Sequence, residues 1–265
     1  MKITVLIENN SKHKNLACEH GLAFYIEYME KKYLFDSGQS QAMLDNAHKM
    51  GISLENLDAI FISHGHYDHS GALAAVMKKN PNVNVYIGKG FFEQKGKLKD
   101  GHFSYLGVPK ECGRLRGQTR FFKEIAETTV IDDGIMVLAD LSSGKDTSFV
   151  VKKNLELQPD FFRDEIAVIF ETEKGSVLIS GCSHNGILNI IHRTEKYTKN
   201  IYALFGGFHT RAFDDGKLKK LAQDILKKGI QHIGISHCTG NRFIEVVDDP
   251  AFFPFNSGDI FSTRH

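Results

Sequence analysis

The sequence predicts an α/β protein, a four-layer αββα sandwich in which two ββα halves form one domain spanning residues 1–265. Three observations predict it. Apolar runs of strand length alternate with stretches of helical period along most of the chain. Chemistry-bearing residues stand at the ends of those runs rather than inside them. No linker or low-complexity run separates two autonomous cores within the 265 residues.

Taken in order, Ile3–Ile7, Leu22–Tyr28 and Tyr33–Phe35 read as strands, with Glu30-Lys31-Lys32 as the turn between the last two. Gln41–Met50 places Met43, Leu44, Ala47 and Met50 on one helical face closed by Gly51; His48 suits the helix C-terminus and is assigned no chemistry. Ile60–Ile62 reads as a buried strand, Gly71–Val76 as the start of a helix, and Val83–Ile87 as the next strand. Between Gly88 and Glu124 the periodicity fails, and nine basic residues stand against four acidic. This basic insertion, about 88–124, is a solvated loop or a cover that attracts an anionic substrate. Strands resume at Thr128–Ile131, Ile135–Ala139, Glu165–Glu171 and Ser176–Ser180. A helix over Asn185–Lys196 and a strand at Ile201–Phe205 follow. Lys217–Lys228 carries the stripe Leu218, Leu221, Ala222, Ile225, Leu226, with Gly229 as C-cap. The strand Ile230–Ile235 and a terminal strand within the aromatic tail Phe252–Phe261 complete the pattern.

Bulk composition narrows the function classes. With 42% hydrophobic and 25% charged residues, the chain can bury a sizeable core. A net charge of +1 gives no case for nucleic acid or a membrane surface as partner. The four cysteines, Cys18, Cys112, Cys182 and Cys238, form no Cys-x-x-Cys pair and suggest neither a disulfide framework nor a separate zinc module. The first apolar run, Ile3–Ile7, is too short for a signal peptide, and cytoplasmic is the default.

The stretch that organises the chain is His64-Gly65-His66-Tyr67-Asp68-His69, set in the turn between a buried strand and a helix. Three imidazoles and a carboxylate in one turn would be costly without a metal to compensate them. His64 and His66 divide naturally onto one ion, Asp68 and His69 onto another. His184, His209 and His237 each follow a strand and are expected to converge on the same centre. His13, His102, His192, His232 and His265 have no such setting.

His64 to His69 resembles the metal signature of the metallo-β-lactamase superfamily, and the likeness extends to Leu34-Phe35-Asp36-Ser37-Gly38 and to His184, His209 and His237. Glu19-His20-Gly21-Leu22, Gly181-Cys182-Ser183-His184, Gly206-Gly207-Phe208-His209 and Ser236-His237-Cys238-Thr239-Gly240 are similar to the branch of methanopterin-pathway dihydropteroate-type synthases. The resemblance implies one or two divalent ions, zinc first and manganese or iron as alternatives. It implies His64, His66 and His184 on one ion and Asp68, His69 and His237 on the other, with Asp36 holding the loop from behind. The chain lacks the superfamily's usual Pro-Gly-His-Thr-like motif and its bridging Asp. Cys182 is a candidate replacement or a small buried residue, and Asp164 is a weaker alternative.

The expected function is a metal-dependent enzyme acting on a small anionic, phosphorylated metabolite, as a hydrolase first. The alternatives are a pterin-related transferase and a non-catalytic binding protein. Asp68 and His209 are the catalytic candidates, His209 as proton donor to the leaving group. His20, Arg114, Arg116 and Arg120 are candidates for substrate binding. His66, where oxygen-reducing diiron relatives carry Glu, argues against redox chemistry. The near-neutral charge argues against a nuclease. A homo-oligomer is left open.

Overall fold

The computed structural model describes residues 1–117, 120–141, 148–154 and 156–263. Two seven-stranded mixed sheets face each other. The first runs Ile260–Ser262, Lys2–Ile7, Ala23–Tyr28, Lys31–Phe35, Ala59–Ile62, Asn84–Gly88, Phe122–Ile125 from edge to edge. It is antiparallel up to Lys31–Phe35 and parallel beyond. The second runs Phe252–Pro254, His232–Ile235, Ile201–Gly206, Gly175–Ser180, Ala167–Thr172, Ile135–Leu138, Thr129–Asp132. Here Gly175–Ser180 and the three strands ending at Phe252–Pro254 are parallel.

Alternation of side chains along the strands gives each sheet two apolar faces, and three cores result. Between the sheets lie Ile3, Val5, Phe24, Phe35 and Phe61 from the first and Val137, Val168, Phe170, Val177 and Phe205 from the second. Tyr33, Phe61 and Phe170 pack with centroids 5.8–6.3 Å apart, each pair adding about 0.5–1.5 kcal/mol beyond its burial. The helices Ala42–Lys49 and Leu73–Lys79 cover the outer face of the first sheet. The helices Ile187–Thr194, Asp215–Leu226 and Arg242–Val246 cover the second. The result is the four-layer αββα order that the sequence predicts.

Three expectations are corrected. The first hairpin turns at Met29 and Glu30, both left-handed (φ 47° and 62°), and Lys31 already pairs with Tyr28. A two-residue turn of that hand matches strand twist, whereas the charges of Glu30-Lys31-Lys32 suggested a longer loop. The aromatic tail is not one strand: Phe252–Pro254 joins the second sheet and Ile260–Ser262 crosses to the first. The segment from Gly88 to Glu124 is not plain loop. It supplies Gln94–Lys99 and His102–Tyr105 to a separate four-stranded sheet, completed by Phe149–Lys153 and Glu156–Pro159. The sequence carries no strand signal here because Gln94–Lys99 alternates Lys with Gly and Leu and His102–Tyr105 is mostly exposed, so neither shows a clean apolar face.

That extra sheet is anchored beside the metal loop. Lys95 is buried between Asp160 and Asp164, with Nζ 2.9 and 2.8 Å from their carboxylates. Asp164 also accepts a hydrogen bond from Gly65 N at 2.7 Å. The two carboxylates raise the Lys95 pKa against the opposing effect of burial. Removing one member of such a buried set leaves an uncompensated charge, which costs about 3–5 kcal/mol.

Candidate metal centre

The centre lies where the strand ends of both sheets meet. Ala59–Ile62 runs into Ser63 and His64, and the turn continues into a short helix, Tyr67–Ser70. Gly175–Ser180, Ile201–Gly206 and His232–Ile235 end next to one another and deliver Cys182 and His184, His209, and His237 and Cys238. Gly65 has its backbone so close to Phe91 that an added Cβ would lie 2.1 Å from Phe91 O. No other residue fits that turn.

Each ring of the loop has one nitrogen fixed and the other left for the centre. His64 Nδ1 is 3.0 Å from Ser63 Oγ, and its Nε2 is 3.0 Å from His66 Nδ1. His69 Nδ1 donates to Asp36 Oδ2 at 2.6 Å, while its Nε2 lies 3.2 Å from Cys182 Sγ. Asp36 in turn accepts from Ser63 N and Ser63 Oγ at 2.7 and 2.8 Å. His237 Nδ1 is 2.9 Å from Asn9 Oδ1, and its Nε2 is 3.2 Å from Asp68 Oδ2. His20 Nε2 reaches the same carboxylate oxygen at 3.2 Å. Orientation of an imidazole through its second nitrogen is what metal-binding histidines require.

Four ligand sets result, each with donor atoms within 4.8 Å of one another: His64, His66 and His184; His64, His69 and Cys182; Cys182, His209 and Cys238; His20, Asp68 and His237. The first set fits a divalent ion on its own evidence. His66 Nε2 and both ring nitrogens of His184 are buried without a hydrogen-bond partner. Burial and the neighbouring imidazoles push the His64 and His184 pKa values well below the ordinary range. Burial takes His66 down to about 3. Three neutral imidazoles, two of them with open nitrogens, are a Lewis-base set suited to a divalent cation.

The second part is polarised differently. Burial opposes the charge on His69, but Asp36 and Asp68 outweigh it and raise its pKa to about 9. Burial likewise opposes ionisation of Asp68, yet His69 and His237 hold it far below the usual carboxylate range. Burial pushes the Cys182 thiol well up. For Cys238 burial acts in the same sense, but hydrogen bonds with Cys182 and His209 prevail and the thiol is held well down.

A cleft of about 410 Å³ opens onto these groups, within the range of small-molecule sites. His20, His66, Asp68, Cys182, His184, His209, His237 and Cys238 line it, with Tyr67, Leu106, Phe149 and Ala212 as less polar walls and Lys97 and Arg211 as its cations. Lys97 Nζ sits 3.9 Å from the Phe149 ring centroid, and Arg211 donates to His237 O at 3.4 Å.

Of the residues singled out in the sequence, the structure brings His20, His64, His66, Asp68, His69, Cys182, His184, His209 and His237 together. Asp36 stands behind His69. Asp164 is engaged by Lys95 and Gly65 and belongs to none of the four sets. Arg114 and Arg120 line a different depression with Ala74, Met77 and Phe121, and Arg116 is exposed; none of the three lines the cleft. Among the described residues of the insertion, Lys97 and Leu106 line the cleft. His13, His102 and His192 are exposed, His232 packs against Tyr202 and Phe261, and His265 lies outside the described residues.

Sequence reasoning missed the carboxylates that hold the late histidines by their backbones. Glu165 accepts from His184 N at 2.7 Å and from Asn185 N at 2.9 Å, and burial raises its pKa to about 7. Glu8 accepts from His237 N at 3.1 Å. The signal was a charged residue at the edge of an otherwise apolar strand. Arg211, Phe149 and Asn9 carried no such signal.

Known proteins resemble this chain in sequence and fold. The family model described as the metallo-β-lactamase superfamily matches residues 16–186. A 7,8-dihydropterin-6-methyl-4-(β-D-ribofuranosyl)-aminobenzene-5′-phosphate synthase of Methanocaldococcus jannaschii is 27% identical, over 92% of this chain and 91% of its own. An uncharacterized protein of the same organism is 29% identical over 90% of both chains. A solved structure, described as a metal-dependent hydrolase of the β-lactamase superfamily, superposes with a TM-score of 0.83 at 28% identity, covering 99% of each chain. Among the described residues no helix is long and apolar enough to cross a membrane.

Proposed function

This chain belongs to the metallo-β-lactamase superfamily, and from that premise we propose that it is a metal-dependent hydrolase of a small anionic metabolite, most simply a phosphorylated one. The observation that carries the reading is the set of open, neutral imidazole nitrogens on His66 and His184 at a cleft that also holds Lys97 and Arg211. His64, His66 and His184 would hold one ion, and Asp68, His69 and His237 a second, with zinc first and manganese or iron as alternatives. The geometry, however, groups Asp68 and His237 with His20, and His69, 3.7 Å from Asp68, with His64 and Cys182. Bound divalent ions supply the charge that acidifies a water and polarises the electrophile.

The chain's own groups do the rest. Lys97 Nζ and the Arg211 guanidinium pair with the substrate's phosphate or carboxylate and fix its orientation. Phe149 and Leu106 shield that end of the cleft from water. Asp68 orients the attacking water, whose proton passes to the neutral His20 beside it. His20, half-exposed with Nε2 3.2 Å from Asp68 Oδ2, passes the proton on to the leaving group or to solvent.

A second reading, transfer instead of hydrolysis, is favoured by the synthase that is 27% identical over most of the chain. Departure of a phosphate-type leaving group needs the same cations and the same acid. The test is turnover of zinc- or manganese-loaded protein on a panel of phosphate esters, with and without an arylamine acceptor. Product formation without acceptor supports hydrolysis, and product only with acceptor supports transfer. Tight binding of a panel member with no turnover under either condition makes the protein a binding module.

A further inference from the structure

Cys182, His209 and Cys238 make up a ligand set that the two-ion arrangement leaves unused. Each follows a different strand, Gly175–Ser180, Ile201–Gly206 and His232–Ile235, and these three are neighbours in the parallel part of the second sheet. Their donor atoms lie within 4.8 Å of one another, and the two cysteines are only 3% and 5% exposed. His209 N donates to Cys238 Sγ at 3.3 Å, and Cys238 Sγ donates to Cys182 O at 3.4 Å. The backbone is shaped around the sulfurs. A Cβ on Gly207 would come 2.5 Å from Cys238 Sγ and 2.9 Å from Gly181 O. Ser183, His209 and His237 hold left-handed conformations at φ 57°, 53° and 53°, each costing about 1–3 kcal/mol. Three strained turns that converge on two buried sulfurs and an imidazole are poorly explained by packing alone.

We propose that Cys182, His209 and Cys238 form a third, sulfur-bearing metal site that takes a thiophilic ion of the zinc or cadmium class. Two sulfurs and one imidazole are the donors of tetrahedral zinc sites, leaving one position open to the cleft, and they are poor donors for magnesium or manganese. Binding forms two metal–sulfur bonds and one metal–nitrogen bond, and the protons still carried by the thiols leave to solvent. Cys182, whose sulfur is also 3.2 Å from His69 Nε2, lies between this set and the loop histidines. His209, which the sequence cast as a proton donor, is here a ligand.

The test uses the full chain carrying Cys18→Ser, which removes the exposed thiol, titrated with cadmium and followed by sulfur-to-cadmium charge-transfer absorption and by native mass spectrometry. Three bound ions with a saturable charge-transfer band are expected, and adding Cys238→Ser should remove about half of the band and one ion. His64→Ala should leave the band in place while lowering the ion count. A folded protein that binds no more than two ions without the band, or a band unchanged by Cys238→Ser, overturns the site. If Cys238→Ser does not fold, His209→Ala decides in its place: loss of the third ion supports the site, and retention of three overturns it.

Discussion

The two halves of the sandwich furnish their donors in opposite ways. In the N-terminal half, His64, His66, Asp68 and His69 fall within six consecutive residues of one strand–helix turn. In the C-terminal half, Cys182, His184, His209, His237 and Cys238 arrive singly or in pairs from three parallel strand ends. The supports differ as well. Asp36 and Ser63 act mainly on ring nitrogens in the first half, whereas in the second Glu165 and Glu8 act on backbone amides and Asn9 adds one ring contact, to His237. A local turn aims its rings one at a time, while a strand end must be placed as a whole turn. Substitutions in the first half should therefore alter single ligands, and those in the second should move several groups together.

The largest effect is expected from Asp68→Asn, which removes the charge contacted by both His20 and His237. Turnover should fall at least ~100-fold with the fold unchanged by circular dichroism. A fall below tenfold would remove Asp68 from the chemistry. Next come the two supports. Asp36→Asn should weaken metal affinity roughly 10–100-fold and, by leaving the buried His69 without its anionic partner, should also lower the melting temperature of the metal-free protein. Glu165→Ala leaves the His184 and Asn185 amides unsatisfied, so it should weaken metal binding and also lower stability by about 1–3 kcal/mol. Unchanged metal affinity in both variants would take the two supports out of the centre.

That contrast also explains what was legible in the sequence. The loop histidines were readable because a contiguous motif carries its own geometry. The placement of His184, His209 and His237 at strand ends was readable from the apolar runs before them. Glu8, Asn9 and Glu165 were not, since hydrogen bonds that span 19 to 229 residues leave no periodic trace. Nor were Lys97 and Arg211 separable from Arg114, Arg116 and Arg120 before the extra sheet was seen, because charge density locates a segment and not the face it presents. The four-layer order came from element alternation, while the extra sheet was lost to its Lys- and Gly-rich strands.

Lys97→Ala and Arg211→Ala sharpen this point. Each should raise KM for an anionic substrate by an amount corresponding to roughly 1–3 kcal/mol, and should spare a neutral analogue of the same scaffold. Arg114→Ala, Arg116→Ala and Arg120→Ala should stay within about ~0.5 kcal/mol of wild type on both substrates. The reverse pattern would return substrate binding to the insertion's arginines.

The pH dependence of the metal-free protein separates His69 from the other histidines of the centre. His69 has a folded pKa of about 9, above its ordinary 6.5, so its stabilising charge is fully present below about 6.5 and is lost as pH rises to 9. The effect is on the order of 3 kcal/mol. His64, His66 and His184 shift the other way, and their contribution is lost as pH falls from 6.5, toward about 3 for His66. Urea midpoints of metal-free protein should therefore peak near neutrality and fall on both sides. A midpoint that climbs steadily from pH 6.5 to 9 would contradict the Asp36–His69 assignment.

The account rests on a centre to which both halves contribute ligands, and metal content tests that most directly. Wild type, His64→Ala and His237→Ala would be loaded with zinc, passed through a desalting column and measured for bound metal per chain. The expectation is that each variant loses an equivalent relative to wild type, His64→Ala from the first set and His237→Ala from the second. Unchanged metal content in both variants would contradict the shared centre.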